Sequence, residues 1–158
     1  MSIKLRNAFG HYATGVTIIT TLGPGGEPVG MTVNSFSSLS LDPPLLLWSL
    51  AKTSINYDVF NRATHFAVHV LGTDQSTLAR QFATKDIDRF AGVTTTACAS
   101  SGVPRLDTYH ACFECETHAR YDGGDHTIII GRILDVDERP GDPLLFYRGR
   151  FSRIISEG

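Results

Sequence analysis

The first hairpin is encoded by T-G-V-T-I-I-T-T at residues 14–21 and P-V-G-M-T-V at residues 28–33, with the cluster Gly23-Pro24-Gly25-Gly26 between them. Valine, isoleucine and threonine favour extended backbone because their branched side chains pack well on a pleated surface. Glycine and proline favour turns. The pattern therefore predicts two antiparallel strands joined by a short connection.

Similar patterns continue along the chain. Residues 65–71 alternate, which places Phe66 and Val68 on a buried face and His65 and His69 on the opposite, less buried face. The sequence Asp122-Gly123-Gly124-Asp125 predicts a turn. Further strands are predicted at residues 45–50, 109–117, 126–137 and 144–155.

Helices are few and short in this interpretation. Apolar residues recur at helical spacing in residues 53–63 and 74–83, whereas residues 84–106 have no sustained period and are predicted to be mostly loop. Many strands with too few helices to cover a parallel sheet indicate a mainly β fold. We expect an antiparallel β-barrel with a few short peripheral helices, built as a single domain over residues 1–158.

Composition narrows the class of protein. The 158 residues are 42% hydrophobic and 19% charged, with a net charge of -2, which is typical of a globular domain and gives no general attraction for nucleic acid. No apolar run approaches the roughly 20 residues that a membrane span needs. The three cysteines fit a reducing compartment, and the first residues show no signal-peptide pattern. We therefore expect a cytoplasmic protein that binds neither nucleic acid nor membrane.

One segment has the chemistry of an anion site. Ala51-Lys52-Thr53-Ser54 follows a predicted strand and opens a predicted helix, so it offers backbone N–H groups, two hydroxyls and an ammonium. The alternative is that Thr53 or Ser54 caps the helix and Lys52 is solvated. The spacing leaves both open. Neither G-x-G-x-x-G nor a P-loop motif is present.

A second candidate is the polar stretch at residues 32–40, which places six hydroxyl or amide side chains within nine positions at the end of a strand. Such a density can satisfy the polar atoms of a heterocycle or a polyol. Taken alone, the stretch favours the alternative of a polar edge strand with turns, because serine-rich loops are common.

Cys112-Phe113-Glu114-Cys115 invites a zinc hypothesis because His110 and His118 are nearby. If this segment is one strand, however, Cys112 and Cys115 lie on opposite faces. No second C-x-x-C occurs. Packed free thiols are the alternative that we favour, and no metal site is predicted.

His126 follows the Gly-Gly-Asp turn and begins an apolar strand, which places an imidazole where a ligand could meet it. A lone histidine is more often structural or solvated. Its position alone does not decide between these alternatives.

Taken together, several motifs resemble the flavin reductase family, the short NAD(P)H:flavin oxidoreductases that serve two-component monooxygenases. The match covers nearly the whole chain, from about Phe9 to Phe151. The motifs are G-V-T-I-I-T-T at 15–21, G-M-T-V-N-S-F-S-S-L-S-L-D-P-P at 30–44, F-A-V-H-V-L at 66–71, D-R-F-A-G at 88–92, G-G-D-H at 123–126 and P-L-L-F-Y-R-G at 143–149. The resemblance implies an FMN-binding split barrel that works as a homodimer.

The resemblance also implies a role for each candidate segment. Residues 34–38 match the segment that lines the flavin ring and ribityl chain, residues 51–54 the segment that holds the flavin phosphate, and residues 82–83 another contacting pair. The implied flavin-binding residues are Thr32, Val33, Asn34, Ser35, Phe36, Ser37, Ser38, Ala51, Lys52, Thr53, Ser54, Phe82 and Ala83. Those implied for the nicotinamide nucleotide are His126, Phe146, Tyr147, Arg148 and Gly149. Gln81 stands where an arginine often occurs, which puts one flavin contact in doubt.

The implied activity is hydride transfer from NADH or NADPH to FMN or FAD, with reduced flavin passing to a partner monooxygenase. Such a transfer depends mainly on contact geometry between the two rings. His126 is the predicted catalytic residue, orienting the nicotinamide or stabilising nearby charge. Two other functions remain open: a flavin carrier or sensor without catalysis, and a split-barrel oxidoreductase with tightly bound FMN that acts on an organic substrate.

Overall fold

The structure is a computed structural model and describes residues 1–157. The helices are α1 (Ser2–Gly10), α2 (Tyr57–Arg62) and α3 (Ser76–Gln81), with a 3₁₀ turn at Thr73–Gln75. The strands are β1 (Thr14–Gly15), β2 (Thr17–Leu22), β3 (Pro28–Val33), β4 (Ser37–Leu41), β5 (Pro44–Ala51), β6 (His65–Val70), β7 (Thr95–Ala97), β8 (Pro104–Leu106), β9 (Ala111–Gly123), β10 (His126–Glu138), β11 (Leu144–Tyr147) and β12 (Arg150–Arg153).

The main sheet is antiparallel, with the strand order β3-β2-β6-β9-β10-β5-β4. One buried cluster around Trp48 contains side chains from β2, β3, β5, β6, β9 and β10. The sheet therefore curls around a common core. The edge strands β3 and β4 do not pair in the described residues, yet only three residues, 34–36, connect them. The mainly β, antiparallel architecture is confirmed. We call the gap crossed by residues 34–36 the barrel opening.

The predicted hairpins are present. β2 pairs with β3 in the register Thr17 to Val33, and β9 pairs with β10 across the two-residue turn Gly124-Asp125. Gly124 has a φ of 77°, a conformation that glycine adopts without strain. Thr14–Gly15, however, leaves the predicted first strand and pairs with β11 in a second sheet, ordered β1-β11-β12.

The prediction of a single strand at residues 144–155 was wrong. β11 ends at Tyr147 and β12 begins at Arg150, with Arg148 and Gly149 between them at φ values of 49° and 78°. Two successive residues with positive φ form the tight turn that matches the twist of paired strands. The segment therefore folds back as a hairpin.

The helix predicted at residues 53–63 is shorter than expected. The Ser54 hydroxyl accepts a hydrogen bond from the Asn56 N–H at 3.2 Å, so the side chain supports a turn here and α2 begins only at Tyr57. Residues 84–106 are loop apart from β7 and β8. α1 was not predicted, whereas β4 corresponds to the polar edge strand that was one alternative for residues 32–40. Among residues 1–157, no helix is long and apolar enough to cross a membrane.

His69 lies deep in the protein, contrary to the prediction that its strand face is the less buried one. The alternation of β6 is correct, but both of its faces are covered. Cys98, Val103 and Tyr109 pack with Ala67 and Cys112 on the face that was expected to be more open. The His69 side chain is fully buried as a result.

Candidate functional site

The polar segment at residues 34–38 crosses the barrel opening and is fixed at both ends. Thr32 at the end of β3 donates from its N–H to the Phe82 carbonyl at 3.2 Å and from its hydroxyl to the Ala79 carbonyl at 2.6 Å. The Ser35 hydroxyl accepts from the Ser49 N–H at 2.9 Å and donates to the Ser49 carbonyl at 3.2 Å. These bonds hold the start of the segment to the end of α3 and to β5.

The side chains within this segment have different environments. Val33 is buried in the barrel core, and Phe36 is half-buried and stacks on Phe113 at a centroid distance of 5.9 Å. Asn34 is exposed, as are Ser37 and Ser38 at the start of β4. The polar groups that a ligand could contact are therefore on the outside of a rigid framework.

The segment at residues 51–54 lies close to Ser35. Ser49 and Ala51 are two residues apart on β5 and share one face, a separation of about 7 Å. Ala51 pairs with His126 in the neighbouring strand, and the Lys52 N–H donates to the Asp125 carbonyl at 3.0 Å. The structure thus brings residues 34–38, residues 51–54 and His126 close together along neighbouring strands. We call this set of residues the row.

The sequence predicted that Lys52 stands at the beginning of a helix, but α2 begins only at Tyr57. Its ammonium pairs with the Asp122 carboxylate across the β9–β10 turn. This hydrogen bond raises the pKa of Lys52 and lowers the pKa of Asp122. The Asp122 side chain is 76% exposed, so the pair contributes little to stability and can open at small cost. Lys52 therefore remains available to an incoming anion.

His126 is half-buried, and its Nδ1 lies 2.8 Å from an Asp125 carboxylate oxygen. This bond lowers the pKa of Asp125. When the neutral ring donates from Nδ1, its lone pair resides on Nε2, so the carboxylate fixes both the tautomer and the orientation of the ring. The exposed turn thereby presents an oriented imidazole beside Ala51.

Phe82 and Ala83, at the other end of the row, differ in burial. The Phe82 ring is fully buried and packs edge-on against Phe90 at 4.9 Å. Its N–H and carbonyl are already bonded to Leu78 and Thr32. Phe82 therefore supports the framework rather than presenting atoms to a ligand, and Ala83 is the exposed member of the pair.

In the described part of one chain, the predicted nicotinamide residues 146–149 are not joined to His126, the other residue predicted to bind the nicotinamide nucleotide. Phe146 packs on the cluster that contains Phe82, and the Arg148 N–H donates to the Gly10 carbonyl at 3.1 Å. Tyr147, Arg148 and Gly149 are exposed. Among residues 1–157, no strand pairing or hydrogen bond joins this hairpin to His126.

The cysteines lie apart from the row and are buried. Cys115 belongs to the barrel core and Cys112 to the cluster around Cys98, as the strand alternation predicted. Burial raises the pKa of Cys98 to about 11 and that of Cys112 to about 12, which keeps both as thiols. Within residues 1–157 no group of three histidine, cysteine or acidic side chains is arranged to hold a metal ion.

Comparison with known proteins identifies the family of this chain. A family model described as "Flavin reductase like domain" matches residues 9–154. The chain belongs to the flavin reductase family. It is 48% identical to the NADH-dependent FMN reductase SmoA of Agrobacterium fabrum, over 97% of this chain and 86% of that protein. The family expected from the sequence motifs is confirmed.

Other family members differ in length. The reductase component of the flavin-dependent trigonelline monooxygenase of Acinetobacter baylyi is 43% identical over 94% of this chain, which spans 47% of that longer protein. The structure of the NADH:FAD oxidoreductase SgcE6 of Streptomyces globisporus, in complex with NAD and FAD fragments, aligns with a TM-score of 0.92 and 39% identity. That alignment covers 99% of this chain and 94% of the other.

Sequence reasoning missed three residues that organise the row. Ser49 anchors Ser35, while Asp122 and Asp125 position Lys52 and His126. The sequence contains one weak indication that Ser49 has a role in the site: it is a polar residue between the apolar Trp48 and Leu50 of a strand. The two aspartates were identified only as turn residues.

Proposed function

We propose that this flavin reductase transfers a hydride from NADH or NADPH to FMN or FAD and releases the reduced flavin to a partner monooxygenase. The observation that carries the proposal is the row formed by residues 34–38, residues 51–54 and His126 at the barrel opening. The relatives SmoA and SgcE6 are named for NADH, which favours NADH as the donor here.

The residues of the row fit a flavin. Exposed amide and hydroxyl groups of Asn34, Ser37 and Ser38 suit the polar edge of the ring and the ribityl chain, and the Ser35–Ser49 bonds hold these donors in place. Lys52 suits the phosphate. The flavin supplies the hydride-accepting ring. The chain supplies positioning, because hydride transfer requires the two rings to be in contact.

We assign His126 to the nicotinamide nucleotide. Its ring is oriented by Asp125 and lies beside Ala51, next to the proposed flavin phosphate segment. An oriented imidazole can hold the donor by a hydrogen bond without itself exchanging a proton. Its contribution is therefore geometric.

A second copy of the chain completes this site in our proposal. Apolar side chains of α1 are largely uncovered in the described part of the chain: Ile3 is 74% exposed and Phe9 is 70% exposed, and Tyr12 just beyond the helix is 80% exposed. A face of this kind is typical of protein interfaces. A two-fold related copy could cover it and bring its own Phe146–Gly149 hairpin to His126, which no strand pairing or hydrogen bond among residues 1–157 joins to the hairpin of the same chain.

The oligomeric state is directly measurable. Light scattering is expected to give twice the 17.2 kDa chain mass. Phe9→Asp should shift the population toward the monomer and lower reductase activity in parallel, because burying a carboxylate in the interface is unfavourable. No residue of α1 is buried within the chain, so the substitution should leave the circular dichroism spectrum unchanged. A fully active monomer would contradict the shared site.

Lys52→Ala is expected to weaken FMN by about ten- to a hundredfold and riboflavin by less than about twofold. A charge-assisted hydrogen bond to phosphate accounts for this difference, since riboflavin has no phosphate. Asp122→Asn is the matched control: it frees Lys52 from its present partner and should not weaken FMN. Fluorescence titration of both flavins measures the effects. Equal losses for FMN and riboflavin would show that Lys52 supports the fold instead.

Steady-state oxidation of NADH and of NADPH, each with and without FMN, FAD or riboflavin, tests the proposed function. We expect oxidation that depends on added flavin and is faster with NADH. Flavin binding without any oxidation would identify a carrier. Flavin that stays with the protein through gel filtration would argue against release to a monooxygenase.

A further inference from the structure

A cleft of about 450 Å³ lies between α3 and β12. Arg80 of α3 and Arg153 of β12 face it, together with the hydroxyl residues Ser76 and Ser152 and the apolar wall of Leu144 and Phe151. Two arginines therefore meet hydroxyl groups and an aromatic ring in one concave surface.

The charge of this cleft distinguishes it from its neighbours. Four other cavities in the described residues, of about 190 to 620 Å³, are each lined by at least one aspartate. In the cleft, the charged residues are Arg80 and Arg153 alone, although Arg153 also lines the adjoining cavity with Asp74 and Asp142. The cleft itself therefore carries two positive charges in a chain with a net charge of -2.

Neither arginine forms an ion pair in the part of the chain that the structure describes. Arg105, Arg132 and Arg139 all form ion pairs with carboxylates, whereas Arg80 and Arg153 have no carboxylate within salt-bridge distance among residues 1–157. The Arg80 guanidinium lies over the Phe151 ring, 5.1 Å from its centroid, which holds it against the wall of the cleft. Both guanidinium groups are therefore available to bind an anionic ligand.

We infer that this cleft binds the phosphate groups of a nucleotide, and that its occupant is the pyrophosphate of the NADH donor. Guanidinium groups bind phosphate oxygens through paired, parallel hydrogen bonds, and hydroxyls add further donors. The cleft is lined by residues of β11 and β12, the two strands of the hairpin whose end contains the predicted nicotinamide residues 146–149. The identity of the occupant rests on the proposed function, whereas the phosphate chemistry rests on the cleft itself.

Binding of ADP to the full, flavin-free chain tests the phosphate chemistry without any redox reaction. Calorimetry should show ADP binding that falls by at least about tenfold in Arg80→Ala/Arg153→Ala. Arg80→Lys/Arg153→Lys should recover part of the loss, because it keeps the charges but not the paired geometry. Arg150→Ala is the matched control: it removes one charge from β12 outside the cleft and should change binding less than about twofold. Thermal melting checks that each variant folds.

Kinetics test the occupant. In the double alanine variant, KM for NADH should rise about tenfold while kcat and KM for FMN stay within about twofold of the parent. ADP binding that does not depend on the two arginines would overturn the site, and so would inorganic phosphate competing as well as ADP. An unchanged KM for NADH would overturn the assignment to the donor. If ADP binding depends on the arginines but no flavin is reduced, the proposed function fails and the nucleotide cleft stands.

Discussion

His126→Ala is expected to slow the reduction of bound flavin by NADH by about a hundredfold, while flavin affinity stays within a few-fold of the parent. A misplacement of about 1 Å between reacting groups can cost a factor of this size. The oriented ring of His126 is the group that we assign to holding the donor, and the proposed flavin contacts come from other segments. Anaerobic stopped-flow absorbance, run beside a flavin titration, separates the two effects.

Two further variants act as controls for this prediction. His118→Ala removes an exposed histidine from β9 and should leave the rate unchanged. Asp125→Asn removes the charge that orients His126 but keeps an amide in its place, so an intermediate rate is expected. A parallel loss of melting temperature and flavin affinity in His126→Ala would make the residue a structural support of the turn. An unchanged reduction rate would remove it from the site.

A loss of stability between about pH 6.5 and pH 4 is expected from His69, amounting to about 3 kcal/mol. Its Nδ1 donates to the Ile18 carbonyl at 3.0 Å and its Nε2 accepts from the Leu106 N–H at 3.1 Å, so the folded protein requires the neutral ring. Burial lowers the pKa of His69 to about 4. In this pH range the unfolded chain binds a proton that the folded chain does not, and acidification therefore favours unfolding.

Urea unfolding at pH 7.5, 5.5 and 4.5 measures this dependence. His69→Gln should be less stable at pH 7.5, since glutamine cannot make both bonds in the same geometry, but it should lose the parent's steep fall toward pH 4. Asp122 and Asp125 have lowered pKa values, so their contribution is lost only as the pH falls below their ordinary value of 3.8. An identical pH slope in His69→Gln and the parent would contradict the assignment.

The strands that the sequence predicted correctly combine β-branched residues with turn residues at both ends. β2 and β3 flank glycine and proline, and β9 and β10 flank Gly123-Gly124, so local preference and tertiary pairing agree. β4 was only an alternative in the sequence analysis, because its serines were also interpreted as ligand contacts. It becomes an edge strand by pairing with β5. Gly149 was the available signal for the turn that divides residues 144–155.

The candidate site was predictable in its parts but not in its assembly. The family resemblance assigned residues 34–38 and 51–54 to one flavin and His126 to its nicotinamide donor, without indicating the contacts that join them. Their proximity depends on the curling of the sheet, which brings Ser35 to Ser49 and Ala51 to His126. The burial of His69 likewise depends on the distant packing of residues 98–109, which periodicity within one strand does not reveal.

Anaerobic mixing of the full chain with FMN and NADH tests the central claim most directly. The account predicts that the protein accelerates the loss of oxidised-flavin absorbance far beyond the rate of a protein-free mixture, and that Lys52→Ala and His126→Ala impair this reaction through flavin affinity and rate, respectively. Flavin reduction no faster than in the protein-free mixture, with either NADH or NADPH, would contradict it.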